Sequence, residues 1–155
     1  MSPVRLEKGR PMLTVDESIV INRPRSEVWD FMIDPDNVPV YSSNIVEYEL
    51  VSGEKDKVGR KCKGAVKVAG RRLELTDEMV ELEEGRRAKT VSEDATVPYS
   101  LEFTYEDEGE GTKITWHQEV ESLKGVFKFA DPIVLKLYSR DVRSNLEKAK
   151  TILES

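Results

Sequence analysis

Six consecutive stretches of period-two patterning, followed by one long helix-patterned segment, constrain this 155-residue chain more than any other feature. Residues alternate in this way over 45–51, 60–68, 72–82, 87–92, 99–105 and 113–121. Glycine-bearing turns separate most of these runs: Ser52-Gly53, Ala69-Gly70, Glu84-Gly85 and Gly109-Glu110-Gly111. Links that short permit hairpins rather than the crossovers of a parallel sheet, so the runs predict an antiparallel meander. Residues 13–21 supply a further strand through Leu13, Val15, Ile19 and Ile21. Asn22-Arg23-Pro24 then predicts a helix start, with Asn22 as the cap and Pro24 in the first turn, and Val28, Trp29, Phe31 and Met32 follow at helical spacing. Asp34-Pro35 stops it, and 36–43 predicts a second short helical piece. Finally Asp131-Pro132 opens a helix to about Leu153, with Val134, Leu137, Tyr138, Val142, Leu146, Ala149, Ile152 and Leu153 on one side. The expected fold class is α+β: a curved seven-stranded antiparallel sheet, two short helices after the first strand, and the long helix lying across the concave face.

The pleat assigns the inner face, because a one-residue slip would expose every apolar side chain. Pairing Phe103 with Trp116 gathers Tyr99, Leu101, Phe103 and Tyr105 with Ile114, Trp116, Gln118 and Val120 on one side. It leaves Glu106 opposite Lys113, and Glu102 opposite His117, on the other. Turning at Ala69-Gly70 pairs Val66 with Leu73, Gly64 with Leu75 and Cys62 with Asp77 on the inner side, and sends Lys61, Lys63 and Lys67 outward beside Glu74 and Glu78. Keeping Val80 and Leu82 inside demands a bulge near Met79-Val80.

Polar groups therefore point into an otherwise apolar and aromatic face: Asp77, Gln118 and the phenols of Tyr99 and Tyr105. On the long helix, about 100° per residue places Asn145 near the middle of the apolar side and Asp141 at its edge. Each such group costs ~1–3 kcal/mol if left unpaired. Two readings stand: a solvated or ligand-filled cavity, or a packed core in which these groups bond one another and ordered water.

Composition narrows the partners. Thirty acidic against 24 basic residues leave a net charge of −6, which disfavours nucleic acid and anionic membrane surfaces. One cysteine and one histidine exclude an internal disulfide and a zinc site built from those residues, and no cofactor or metal is expected. No apolar run approaches a membrane span and no signal-peptide core opens the chain, so a cytoplasmic protein is the default reading. Residues 1–11 read as a loose tail before a domain of 12–155.

The segment Ile21-Asn22-Arg23-Pro24-Arg25-Ser26-Glu27-Val28-Trp29, then Asp34-Pro35-Asp36-Asn37-Val38-Pro39-Val40-Tyr41, resembles the opening of the START-like, helix-grip superfamily, in its polyketide cyclase/dehydrase and lipid-transport branch. Gly111-Thr112-Lys113-Ile114-Thr115-Trp116 is similar to that branch's last strand, and Arg143-Ser144-Asn145-Leu146-Glu147-Lys148 to its terminal helix. The resemblance implies a deep cavity between sheet and helix, its mouth bordered by 34–43, 93–98 and 121–131. Leu123, Val126, Phe127 and Phe129 in the last of these form a gate, a plug or a dimer contact. Members of the superfamily range from lipid carriers to enzymes. Aromatase/cyclase members resemble one another in a cavity arginine, whereas the inner residues expected on the third strand here are Cys62, Gly64, Val66 and Val68.

The expected ligand is a small hydrophobic molecule, a lipid, a polyketide or similar, taken up by a monomer or homodimer. Its expected contacts are apolar (Val66, Leu75, Leu101, Phe103, Phe129), aromatic (Trp29, Tyr41, Tyr99, Tyr105, Trp116, Tyr138) and polar (Gln118, Asp141, Asn145). Asp77 is the catalytic candidate: a carboxyl on an apolar wall has a raised pKa and suits acid–base chemistry on a bound carbonyl compound, unless it turns outward or pairs with a neighbouring hydroxyl. His117 falls on the outward phase, and Cys62 reads as a buried structural thiol. The alternatives to a carrier are a cyclase or dehydratase using the same cavity, and an interaction module with a solid interior.

Overall fold

The computed structural model describes residues 12–121 and 131–155. The expected tail at 1–11 and the apolar residues Leu123, Val126, Phe127 and Phe129 lie outside the described residues. Strand β1 is Met12–Ile21, helix α1 is Arg25–Ile33, and a 3-10 turn at Pro35–Asn37 leads into the short helix α2, Val38–Tyr41. The meander follows as β2 (Ile45–Ser52), β3 (Lys61–Val68), β4 (Arg71–Glu83), β5 (Arg87–Ala95), β6 (Tyr99–Glu108) and β7 (Gly111–Glu121). Helix α3, Asp131–Glu154, closes the fold. All seven strands form one antiparallel sheet in the order β1-β7-β6-β5-β4-β3-β2. It is the expected curved sheet wrapped on one long helix.

The alternation of the pleat sets the registers that matter. Phe103 faces Trp116 and Glu102 faces His117 in the β6–β7 pair. Val66 faces Leu73, Gly64 faces Leu75, and Cys62 faces Asp77 in the β3–β4 pair. The β3–β4 turn is made by Ala69 at φ 49° and Gly70 at φ 80°, the left-handed pair that a two-residue hairpin requires. The expected bulge is there, since the register against β5 slips between Met79 and Glu81, but Val80 is itself the extra residue. Met79 and Leu82 face the core, whereas Val80, expected inside, is only half-buried and stands outside the core cluster.

Two expectations about the helices are corrected. Asn22 does not cap α1; Pro24 occupies that position in extended conformation, and the Asn22 amide instead donates to the Glu154 carboxylate at 2.8 Å. That bond, with Lys150 Nζ donating to the Val20 carbonyl at 2.6 Å, pins the end of α3 to the end of β1. Leu137 is 38% exposed, because it sits about 120° around α3 from the centre of the buried stripe defined by Val134, Val142, Leu146 and Ala149.

The interior is divided along the length of α3. Under its C-terminal half, Val142, Leu146 and Ala149 pack with Ile21, Val28, Trp29 and Ile114 into solid core. Under its N-terminal half, Val134, Leu135 and Tyr138 line an open space instead. The functional question is confined to that end.

Candidate functional site: a cavity between the sheet and the long helix

The space is a cavity of about 150 Å3. Its walls come from the concave face of β2 to β7, from α2 and the end of α1, from the β5–β6 link through Val97, and from α3. Most of the lining is aliphatic or aromatic. Eleven expected residues border it: Tyr41, Val66, Leu75, Asp77, Tyr99, Leu101, Phe103, Tyr105, Trp116, Gln118 and Tyr138. Phe103 and Trp116 meet edge to face at 5.0 Å between ring centroids and still leave room beside them.

Three other expected ligand contacts do not reach the cavity. Trp29 is buried behind the wall, its ring edge-on to Tyr105 at 5.1 Å, and serves as the anchor of α1. Asn145 is buried under α3 but fully engaged: its Nδ2 donates to Ser42 Oγ at 3.0 Å and Asn44 Oδ1 at 2.8 Å, and its Oδ1 accepts from the Ser43 amide at 3.1 Å. Its polarity fastens α3 to the loop after α2. Asp141 lies at the margin of the helix stripe, outside the lining, with its carboxyl pKa raised by partial burial. Phe129 lies outside the described residues.

Two polar clusters stand in the wall. The first is centred on Asp77, 4% exposed. Tyr48 donates to its Oδ1 at 2.9 Å and lies 3.1 Å from Oδ2, while Tyr99 donates to Oδ2 at 2.7 Å. Burial pushes this carboxyl up to about 6, against the two phenols and the charge of Arg60, which pull it down. Burial and the neighbouring carboxylate hold both phenols protonated. The second cluster is centred on Gln118, whose Oε1 accepts from Trp116 Nε1 at 3.0 Å and from the Tyr138 hydroxyl at 2.8 Å. Burial pushes the Tyr138 phenol up to about 12.

Sequence reasoning missed Tyr48 and Arg60. Simple alternation puts Ile45 and Tyr48 on opposite faces of β2. A register slip between Ile45 and Glu47 makes Val46 an extra residue, and both side chains then turn inward. Arg60 corrects the expectation that the inner row lacks arginine: it stands one alternation before Cys62, is 6% exposed, and borders the cavity. The signal was present in the period, but a cation preceding Lys61 and Lys63 reads as part of the charged outer face. What makes its burial tolerable is visible only in three dimensions, where Nη1 donates to the carbonyls of Ile33 at 2.5 Å and Lys55 at 2.6 Å. Elsewhere the reading holds: Cys62 is buried with its thiol pushed up by burial, and His117 is on the outer face against Asp16.

A seven-stranded sheet gripping one long helix around an apolar, polar-studded hollow is the geometry of a known family, and residues 12–154 match it. The chain belongs to the polyketide cyclase/dehydrase and lipid transport family. Solved structures with the same fold lie far off in sequence. TTHA0849 from Thermus thermophilus superposes with a TM-score of 0.78 at 19% identity, over 92% of this chain and 97% of that one. The Zhui aromatase/cyclase from a Streptomyces species gives 0.76 at 16%, over 93% and 94%. The major latex-like protein 151 of Panax ginseng gives 0.74 at 18%, over 93% and 99%. These likenesses extend to the fold of this polyketide cyclase/dehydrase and lipid transport family member; its own cavity walls decide what enters.

Proposed function

We propose that this protein binds a small, mainly apolar molecule in the cavity under the N-terminal half of α3. The observation that carries the reading is the contrast within one interior: dry packing around Val142 and Leu146, but open space bordered by Leu101, Phe103 and Val134, with Asp77, Arg60 and Gln118 set in its wall. Burial of apolar ligand surface supplies the affinity, at about 25 cal/mol per Å2, and the polar groups select among ligands of similar shape. Among the described residues no helix is long and apolar enough to cross a membrane.

A second reading is favoured by a specific observation: Arg60 and a carboxyl titrating near 6 share the same wall. In a cyclase or dehydratase, Asp77 as carboxylate takes a proton from carbon next to a carbonyl while an Arg60 N–H polarises that oxygen. The fold-mate named as an aromatase/cyclase supports keeping this reading. Native mass spectrometry of the purified protein identifies a retained ligand, and Asp77→Asn separates the two readings. A binding protein keeps its ligand affinity within a few-fold in that variant; an enzyme of this kind loses turnover.

A further inference from the structure

We propose that the cavity selects an apolar ligand carrying a carbonyl-type acceptor oxygen, received by the side-chain amide N–H groups of Gln118. This rests on the ligand-binding reading above and adds the hydrogen-bonding class of the ligand.

The orientation of the Gln118 amide follows from its neighbours. An indole N–H can only donate, and Trp116 Nε1 lies 3.0 Å from one terminal atom of Gln118, so that atom is the oxygen. Tyr138 donates to the same oxygen at 2.8 Å, and the two bonds fill its acceptor capacity. The other terminal atom is therefore the nitrogen, with two hydrogens to place. Gln118 is 5% exposed and lines the cavity, and among the described residues nothing accepts from that nitrogen. No fully enclosed side-chain nitrogen or oxygen of the described residues lacks a partner, and Gln118 is the amide that stands in the cavity wall.

The phenols are oriented too. Tyr48 and Tyr99 give their hydrogens to Asp77, and Tyr138 gives its hydrogen to Gln118, so each presents only lone pairs elsewhere. A ligand whose polar group is only a hydroxyl finds acceptors in these oxygens but does not need Gln118. A hydrocarbon leaves the amide N–H groups unanswered. A carbonyl oxygen answers them, and a buried donor left without a partner is the larger penalty.

The test uses a matched pair of ligands small enough for the cavity: acetophenone and α-methylstyrene, which share a shape but exchange C=O for C=CH2. The full chain, 15N-labelled, is titrated with each, and binding is followed at the Trp116 indole N–H, in wild type and in Gln118→Met. The two ligands differ in water solubility by the same amount for both proteins, so the ratio of their affinities isolates the residue. The expected result is a ketone-to-alkene affinity ratio that falls about 3- to 10-fold in the variant. A ratio that does not change overturns the inference while leaving the binding reading intact. Failure of wild type to bind either compound overturns that reading and the inference with it. The infrared C=O stretch of 13C-carbonyl acetophenone bound to wild type gives a check that needs no variant. A shift below its value in hexane is expected, and a stretch at the hexane value overturns the inference.

Discussion

Gly64 stands directly opposite Tyr48 across the β2–β3 pair, and its missing side chain is what lets that phenol lie over the sheet and reach Asp77. A β-carbon on Gly64 would fall 2.3 Å from the Glu47 carbonyl oxygen and 3.1 Å from the Tyr48 ring. Gly64→Ala is therefore expected to lower unfolding free energy by about 2 kcal/mol, the usual cost of overpacking a tight site. Urea denaturation measures it. The same change displaces one of the two donors to Asp77, so the carboxyl pKa in the folded variant should rise above its wild-type value.

Asp77 makes stability depend on pH in a defined sense. Its carboxyl titrates near 6 in the folded protein against an ordinary value of 3.8, so the folded state holds the proton more tightly than the unfolded chain. The contribution is favourable below about pH 4, declines as pH rises through the window from about 4 to 6, and is gone above it. The full swing is at most about 3 kcal/mol. Comparing wild type with Asp77→Asn across that window removes other groups from the difference. The variant should gain on wild type as pH rises, and a difference that stays flat from pH 4 to about 7 contradicts this assignment.

His117 acts in the same direction at higher pH. Its imidazole is held above the ordinary range by its bond to Asp16. The pair stabilises the fold while the ring is protonated and ceases to as pH rises through the folded pKa. Because His117 is on the outer face, His117→Gln should remove that dependence and leave ligand uptake unaltered, as measured by thermal unfolding and titration in parallel.

Asn145 is a fastening rather than a ligand contact. Asn145→Leu strands the Ser43 amide and the side chains of Ser42 and Asn44, which together should cost about 3 kcal/mol of stability. In the fraction that stays folded, affinity for a cavity ligand should change little, because the residue does not border the hollow. Denaturation and ligand titration on the same sample distinguish the two roles.

The order of elements, the strand pairing and most of the inner face were legible because each rests on a local rule. Alternation sets which side a residue faces, and a glycine turn sets the pairing between its strands, so Phe103 opposite Trp116 and Cys62 opposite Asp77 followed directly. A bulge near Met79-Val80 was also accessible, since strict alternation could not keep Leu82 on the face of Asp77. Alternation does not say which residue is extruded, and it is Val80, expected inside, that leaves the core. Tyr48 was not, because the extra residue at Val46 leaves no conflict in the sequence to betray it. The distinction between Gln118 in the cavity wall and Asn145 in a closed network was equally hidden: both are amides on an apolar face, and only the partners supplied by Ser42, Ser43 and Asn44 separate them. Arg60 depended on carbonyls of Ile33 and Lys55 that no pattern brings together.

The space under the N-terminal half of α3 is proposed to admit an apolar molecule. Titration of the 15N-labelled protein with toluene, followed residue by residue, tests it without assuming any polar contact. Saturable shifts are expected at Ala88, Leu101, Val134 and the Trp116 indole, with Val142 and Leu146 unmoved. Shifts that never saturate, or that fall on the outer face around His117 instead, would contradict it.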